Sequence, residues 1–377
     1  MTAVASGLSR PFHCASCRRP YPEHGFPHIC TQCGGVYEFD RPLTYQPSQP
    51  AGPMAGLDRF RTTFPLEPEA PFITLGEGDT PLVPVEVDGR TVYFKCDFLN
   101  PTGSFKDRGT SVLLSWLKAQ GASEVVEDSS GNAGASLAAY AARAGIEARL
   151  FVPDYASGPK RAQIDAYGAE VVRILGPRSA ASEAVLRQVE AGAVYASHAH
   201  LPHGLAGMAT LAFELFEQLG TAPGAVLAPV GQGTLLLGAH LGFEALQQAG
   251  LIETVPQWVA VQALACAPLW GVLQGGAAGL LWTKERPTVA EGIRILRPHR
   301  GDAILRVIGE TRGRAVAVEE GEILEGRAEL ALRGFLVEPT SAVVWPALVR
   351  ELPELADPVV VVLTGAGYKD MRDGEAR

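Results

Sequence analysis

From about Leu75 onward, short apolar or β-branched runs alternate with longer stretches in which apolar residues recur at helical spacing. Continuous apolar runs of about four to eight residues predict strands, and 3.6-residue periodicity predicts helices. Val125 and Val126 lead into Ser129-Ser130-Gly131-Asn132-Ala133-Gly134, followed by an alanine-rich helix over residues 135–144 that Gly145 stops. Strands are predicted at 149–152 and 171–175, with a helix over 160–167 between them and Gly168 past its end. A helix is predicted over 210–219. A strand at 225–230 then meets the loop Gly231-Gln232-Gly233-Thr234 and a helix beginning at Leu235. Near the end, Phe335-Leu336-Val337 runs as a strand into Glu338-Pro339-Thr340-Ser341 and a helix. Residues 359–363 run as a strand into Thr364-Gly365-Ala366-Gly367. This alternation predicts an α/β fold with mainly parallel sheets flanked by helices. All four loops stand just after a predicted strand, where ligands collect in such sheets.

Composition narrows the picture. At 377 residues the chain is long enough for two or three domains. A net charge of −9, with no block of five like charges, offers neither a nucleic-acid groove nor a patch for an anionic membrane. No apolar run approaches the roughly 18–20 residues of a membrane span. The first ten residues carry no hydrophobic signal core, and a cytoplasmic location is the expectation. Six cysteines, four of them spaced for metal, fit a reducing compartment.

The four are Cys14, Cys17, Cys30 and Cys33, two Cys-x-x-Cys knuckles. Two residues between thiolates let both sulfurs turn onto one ion, and two knuckles complete a tetrahedral site. Gly34 and Gly35 supply permissive backbone after the second knuckle. Disulfides are the alternative, disfavoured in the cytoplasm. His13 and His28 lie nearby as possible substitute ligands, though exposure is their ordinary role. Four cysteines close the coordination sphere, so the expected zinc is structural and remote from any chemistry. A proline-rich connector follows over residues 41–53.

A single lysine, Lys106, lies in Asn100-Pro101-Thr102-Gly103-Ser104-Phe105-Lys106-Asp107-Arg108-Gly109-Thr110, between a turn signal and an apolar run. Thr102 or Ser104 can cap a helix starting here, which places Lys106 in its first turn. The macrodipole is positive at that end and disfavours a cation. Burial has the same effect, so the amine shifts towards its neutral, nucleophilic form, the form that imine chemistry with an aldehyde needs. The ordinary alternative is a surface lysine paired with Asp107. The loop at Gly231 presents backbone N–H groups and the Thr234 hydroxyl at a helix start, a cradle for phosphate. Leu236 stands where a dinucleotide fingerprint needs its third glycine, and a plain tight turn is the alternative. Residues 129–132 offer hydroxyls, amides and a carboxamide suited to a carboxylate; an unadorned helix cap is the alternative. Gly365 and Gly367 beside Thr364 suggest a close approach there.

Taken with Leu75-Gly76-Glu77-Gly78-Asp79-Thr80-Pro81-Leu82 and Leu363-Thr364-Gly365-Ala366-Gly367-Tyr368-Lys369-Asp370, these motifs resemble pyridoxal-phosphate enzymes of the tryptophan-synthase-β fold, fold type II. Within that fold the chain looks most like the threonine synthases, some of which carry a cysteine-rich N-terminal ribbon. The resemblance implies two interleaved domains, a larger cofactor-binding one over 57–111 and 205–377 and a smaller one over 112–204. A zinc ribbon over 1–40 and a linker over 41–56 would precede them. It implies that Lys106 bonds the aldehyde of pyridoxal 5'-phosphate and later shuttles the proton. Asn132 would hydrogen-bond the cofactor's phenolic oxygen. Ser129, Ser130, Gly131 and Ala133 would hold the substrate carboxylate. Gly231, Gln232, Gly233, Thr234 and Leu235 would wrap the cofactor phosphate, and Thr364 would face the pyridine nitrogen. A hydroxyl there makes the ring a weaker electron sink than a carboxylate would, which suits elimination or replacement better than transamination. A homodimer acting on a small amino acid is the implied assembly.

Three departures stand out. Ala133 replaces a hydroxyl residue of the resembled pattern, and Ala366 stands where its Gly-His-Gly has histidine. Residues 204–209, Gly-Leu-Ala-Gly-Met-Ala, hold no cation where threonine synthases flank a Leu-Glu-Gly-Gln segment with arginine and lysine. Phosphate recognition needs a guanidinium or several donors, leaving His198, His200 and His203, or the loop around Arg294 and Arg297, to compensate. The expected function is elimination or replacement on an α-amino acid with a β or γ leaving group, with O-phosphohomoserine to threonine the first reading. The missing cations favour a neutral leaving group. An amino-acid dehydratase or ammonia-lyase of the same fold is the alternative within the class, and an inactive zinc-ribbon binding module is the alternative outside it.

Overall fold

The computed structural model describes residues 11–47, 56–154, 159–176 and 178–370. The leading ten residues and much of the proline-rich connector lie outside these. In chain order the strands and helices begin with β1 (Phe12–Cys14), β2 (Tyr37–Phe39), β3 (Leu82–Val87) and β4 (Arg90–Lys95). There follow α1 (Lys106–Ala119), β5 (Glu124–Glu127), α2 (Asn132–Ala144), β6 (Glu147–Pro153), α3 (Pro159–Ala166), β7 (Glu170–Ile174) and α4 (Arg178–Glu190). Next come α5 (Gly204–Leu219), β8 (Ala225–Pro229), α6 (Thr234–Gln248), β9 (Gln257–Ala263) and α7 (Pro268–Gly275). The chain closes with α8 (Gly301–Glu310), β10 (Arg314–Val318), α9 (Glu320–Leu332), α10 (Pro339–Ala342), α11 (Val344–Glu351) and β11 (Val359–Val362).

Two compact units result, Met1–Gly78 with Lys106–Thr210, and Asp79–Phe105 with Leu211–Arg377. In the first, β5, β6 and β7 form a parallel three-stranded sheet. Leu150 and Val152 of β6 pack on Ala135 and Ala138 of α2 and Ile164 of α3, while Phe151 packs with Val185 of α4. Alternate residues of one strand thus serve helices on opposite faces, as the two-residue period of a strand requires. In the same unit β1 and β2 pair antiparallel at the base of the cysteine knuckles.

The second unit holds a six-stranded sheet in the order β10-β9-β8-β11-β4-β3. It is parallel except where β3 pairs antiparallel with β4. Residues 359–362 are four consecutive valines, each with no exposure. An unbroken apolar run of this kind marks a parallel strand covered on both faces. Val359 and Val361 join Trp345 and Leu348 of α11 and Leu330 of α9 in one core cluster.

Two sequence expectations fail here. Phe335-Leu336-Val337 forms no strand: the chain turns at Gly334 and Val337 makes an isolated bridge to Ala366, so the loop beginning at Glu338 follows a turn. The helix expected over 210–219 begins at Gly204, so residues 204–209 are its first turns. The β3–β4 hairpin carries a local turn signal in the sequence. Asp88 and Gly89 both take positive φ, 50° and 75°, the two-residue turn that Asp-Gly favours.

Candidate active site and cysteine centre

Lys106 is the first residue of α1 and is half-buried. The loop before it is held locally in the second unit. The Asn100 side-chain amide donates to the Asp97 carbonyl at 2.8 Å, and the Gly103 N–H donates to the Asn100 carbonyl at 2.7 Å. Gly103 has φ +81°, and a Cβ there would lie 2.6 Å from the Tyr368 hydroxyl. The buried Lys369 ammonium donates to the Thr102 carbonyl at 2.7 Å, and the Phe105 N–H to the Thr364 carbonyl at 3.0 Å. The Ser104 hydroxyl is buried with no hydrogen-bond partner, so the helix cap expected of it does not form.

The chain has six lysines, and their surroundings sort them. Lys95 is fully buried, donating to Glu214 at 2.6 Å, the Thr80 carbonyl at 2.7 Å and Gln218 at 2.9 Å. Lys369 is bound to Thr102, and Lys118 and Lys284 are exposed. The Lys160 side chain lies outside the described residues. Lys106 alone among the described lysine side chains is half-buried at a helix start.

In the same unit, residues 129–133 follow β5 and open α2 at Asn132. The Ser129 hydroxyl accepts the Gly131 N–H at 3.3 Å, and the cap residue is Gly131, without a capping side chain. Ser129 and Ala133 are buried, and Ser130, Gly131 and Asn132 half-buried. Gly134, which sequence reasoning did not single out, is required here. A Cβ on it would fall 2.8 Å from Leu150 Cδ2 and closer still to the Ser129 carbonyl oxygen. The spacing Gly131-x-x-Gly134 was the available signal.

In the second unit, residues 231–235 carry the strand β8 into α6. Gly233 caps α6 in the left-handed region, φ +75°, and a Cβ there would meet Ile304 Cγ1 at 2.7 Å. The Gln232 side chain accepts the His299 N–H at 3.1 Å, which ties the loop down at the start of α6, the kind of helix start that suits an anion. After β11, the Thr364 N–H donates to the Ser341 hydroxyl at 2.9 Å. The Thr364 hydroxyl itself is buried with no partner. An orphaned buried hydroxyl is costly unless a ligand completes it, and a ring nitrogen is one acceptor that would.

Residues 204–209 make no anion site. Leu205, Ala206, Met208 and Ala209 are buried, and α5 packs backbone to backbone on α1. A Cβ at Gly207 would lie 2.7 Å from the Arg108 carbonyl carbon, and one at Gly109 would lie 3.0 Å from the Gly204 carbonyl oxygen. The three histidines are likewise engaged. His203 is fully buried and stacked on Trp116 at 3.7 Å, His200 meets the Ser197 hydroxyl at 3.0 Å, and His198 lies 3.6 Å from Glu127.

The cysteines form a compact centre. Their sulfurs lie within 4.8 Å of one another, with Cys14 to Cys33 at 3.4 Å and Cys17 to Cys30 at 3.6 Å, all as free thiols. Tetrahedral zinc with bonds of about 2.3 Å spaces its sulfurs by about 3.8 Å, so the set can hold such an ion. The two knuckles repeat one design. The Arg18 N–H donates to the Cys14 carbonyl at 2.9 Å and the Gly34 N–H to the Cys30 carbonyl at 2.8 Å, with φ of 61° and 73° at Arg18 and Gly34. Gly35 gives the sulfurs room, since its Cβ would lie 2.9 Å from Cys14 Sγ. The Gln32 backbone N–H leads in drawing the Cys30 thiol down to about 6. The Gly35 N–H lowers Cys33 too, but the neighbouring Cys14 and Cys17 sulfurs push it up to about 12. Deprotonating all four sulfurs this close together would need a cation between them. His13 faces Glu38 at 2.9 Å and His28 packs on Tyr195 and His200, so neither joins the set.

Comparison with known proteins decides the class. Residues 73–365 match the model of the pyridoxal-phosphate dependent enzymes. The chain belongs to that family. It is 35% identical to the threonine synthase of Synechocystis sp. over 324 residues, covering 83% of each chain. It is 31% identical to that of Methanocaldococcus jannaschii over 375 residues, covering 95% of this chain and 92% of the relative. Among solved structures, the threonine deaminase of T.th. is similar at 28% identity and TM-score 0.63, over 76% of this chain and 92% of that one. Maize serine racemase shares the fold at 22% identity and TM-score 0.65, over 76% of this chain and 88% of that one. The chain is therefore a fold type II pyridoxal-phosphate enzyme related to the threonine synthases, with lyase-type elimination or replacement chemistry. Among the described residues no helix is long and apolar enough to cross a membrane.

Proposed function

We propose that the chain converts O-phosphohomoserine to threonine, with Lys106 as the lysine that bonds the cofactor aldehyde and moves the substrate's α-proton. The sorting of the lysines carries the residue assignment. Among the described lysine side chains Lys106 is the one that stands half-buried at the first residue of a helix, where the dipole favours a neutral amine. Likeness to threonine synthases along nearly the full chain supports the substrate. The bound cofactor would supply the conjugated ring that stabilises negative charge at the substrate α-carbon. Around it, the backbone of residues 231–235 would hold the phosphate and the Thr364 hydroxyl would meet the ring nitrogen. Asn132 would meet the phenolic oxygen, and Ser129, Ser130, Gly131 and Ala133 would orient the substrate carboxylate. The cysteine centre would hold one structural zinc, in a cytoplasmic homodimer that acts on small amino acids without nucleic-acid or membrane partners.

A second reading is elimination of a neutral leaving group, as in a dehydratase or ammonia-lyase. The packed, cation-free start of α5 and the likeness to threonine deaminase support it. Purified protein incubated with O-phosphohomoserine, threonine or serine separates the two. Threonine and phosphate from the first substrate support the first reading. Keto acid and ammonia from the others, with the phosphate ester untouched, would replace it with the second. Borohydride reduction of the cofactor-loaded protein should place the label on Lys106; a label on Lys95, Lys160 or Lys369 would overturn the assignment.

A further inference from the structure

Helices α1 and α2 each open on a residue that this reading uses, Lys106 and Asn132. One residue into α1, Asp107 is fully buried and its Oδ1 accepts the hydroxyl of Ser136 at 2.6 Å. Ser136 lies one turn after Asn132, and Tyr140 one turn further along the same face of α2. The Tyr140 hydroxyl donates to Glu77 Oε2 at 2.7 Å. Burial, reinforced by the charges of Asp107 and Glu77, holds that hydroxyl well above its ordinary pKa, so it stays a donor. Glu77 Oε2 also accepts the Leu75 N–H at 2.9 Å and the Thr74 hydroxyl at 3.1 Å. Helix α1 closes the circuit: Ser111 donates to the Ile73 carbonyl at 2.9 Å, and Ser115 accepts the Ile73 N–H at 2.8 Å.

All of this lies in the first unit. A carboxylate taken out of water costs several kcal/mol before its partners offset it, and apolar residues of the same volume often stabilise as well or better. What two buried carboxylates add is direction, because an apolar helix contact slides at little cost whereas a short O–H···O bond does not. Stability alone leaves this circuit unexplained, and position explains it. We infer that Asp107 and Ser136 are a positioning pair that fixes the Lys106 end of α1 against the carboxylate-binding start of α2. The inference rests on the functional reading above and adds residues to which that reading gives no role.

The test uses full-length Asp107→Asn, Asp107→Ala, Ser136→Ala and Ser136→Thr. For each, cofactor titration of the unloaded protein by visible absorbance, borohydride trapping at Lys106, melting, kcat and KM are measured. Asp107→Asn keeps an oxygen acceptor and Ser136→Thr keeps the hydroxyl, so both should stay within about threefold of the parent in kcat. Asp107→Ala and Ser136→Ala should lower kcat by about 10- to 100-fold, the cost of a misplacement near 1 Å. Their trapping at Lys106 should slow in parallel, with KM moving less than kcat. Two results would overturn the pair: alanine variants that melt lower yet trap cofactor and turn over like the parent, or Asp107→Asn as impaired as Asp107→Ala. Should Asp107→Ala not fold, Ser136→Ala against Ser136→Thr decides the same question. Failure of the parent itself to develop a visible cofactor band would be the separate failure of the functional reading.

Discussion

Replacing Gly207 by alanine probes the packing of the cation-free start of α5 against α1. In an open helix, alanine is favoured over glycine by about 1 kcal/mol. Gly309 in α8 is such a position, with nothing within 4 Å of a built Cβ, so Gly309→Ala should stabilise by about 0.4–1 kcal/mol. At Gly207 the same methyl would stand 2.7 Å from the Arg108 carbonyl carbon and 3.0 Å from Val112 Cγ2. Ordinary carbon contacts lie near 3.5–4.0 Å, so α5 must move from α1 by about 1 Å. The buried Arg108 guanidinium bonds the Thr210 hydroxyl at 3.0 Å and opposes that movement. Overpacking of this kind costs about 1–3 kcal/mol. Because the contact is with backbone, the upper end applies, and propensity offsets about 1 kcal/mol of it. A net destabilisation of about 2 kcal/mol is expected, read as a lower urea midpoint at unchanged slope. Equal midpoints for Gly207→Ala and Gly309→Ala would refute the reading of residues 204–209 as a packing seam.

The same seam predicts that Gly204→Arg with Ala209→Lys lowers the urea midpoint without raising phosphate-ester activity above the parent's, since Ala209 has no exposure. Thr364→Val should leave the unloaded protein as stable or up to about 1 kcal/mol more so, because the hydroxyl it removes has no partner, while titration shows cofactor affinity falling about tenfold. Cys30→Ser should take metal content from about one zinc per chain to none by elemental analysis. Deleting residues 11–47 strips Phe12, Tyr21 and Phe26 from Trp116 and His203 and should cost about 2 kcal/mol or more, seen as a lower melting temperature.

Much of this fold was legible because its signals are local. The apolar run over 359–362 is bounded by Pro358 and Thr364-Gly365, and the helix over 132–144 ends on Gly145 in the left-handed region, as its composition predicts. Four cysteines in two knuckles likewise needed only spacing. Residues 335–337 misled because three apolar residues fit a strand by pattern, while Gly334 just before them, φ +89°, and Pro339 just after leave no length for one.

The start of α5 and the docking of the ribbon were illegible for a different reason: both depend on partners distant in sequence. Gly204 and Gly207 look like loop residues when read along the chain, since glycine lowers helix propensity. Against α1 they are the residues that let two backbones approach, with Gly109 and Gly207 as the facing gaps. A missing arginine at 204 therefore reports on the helix seam before it reports on substrate charge. The ribbon repeats the lesson. Phe12, Tyr21 and Phe26 suit a small metal module with its own core, but here they surround Trp116 and the buried His203 at ring distances of 4.4 to 6.2 Å. Trp116 belongs to the helix that opens on Lys106. The ribbon around the cysteine centre, expected to be remote from the chemistry, thus packs on the helix that would carry it in the proposed reading, and loss of the centre's metal should loosen α1 before any substrate is bound.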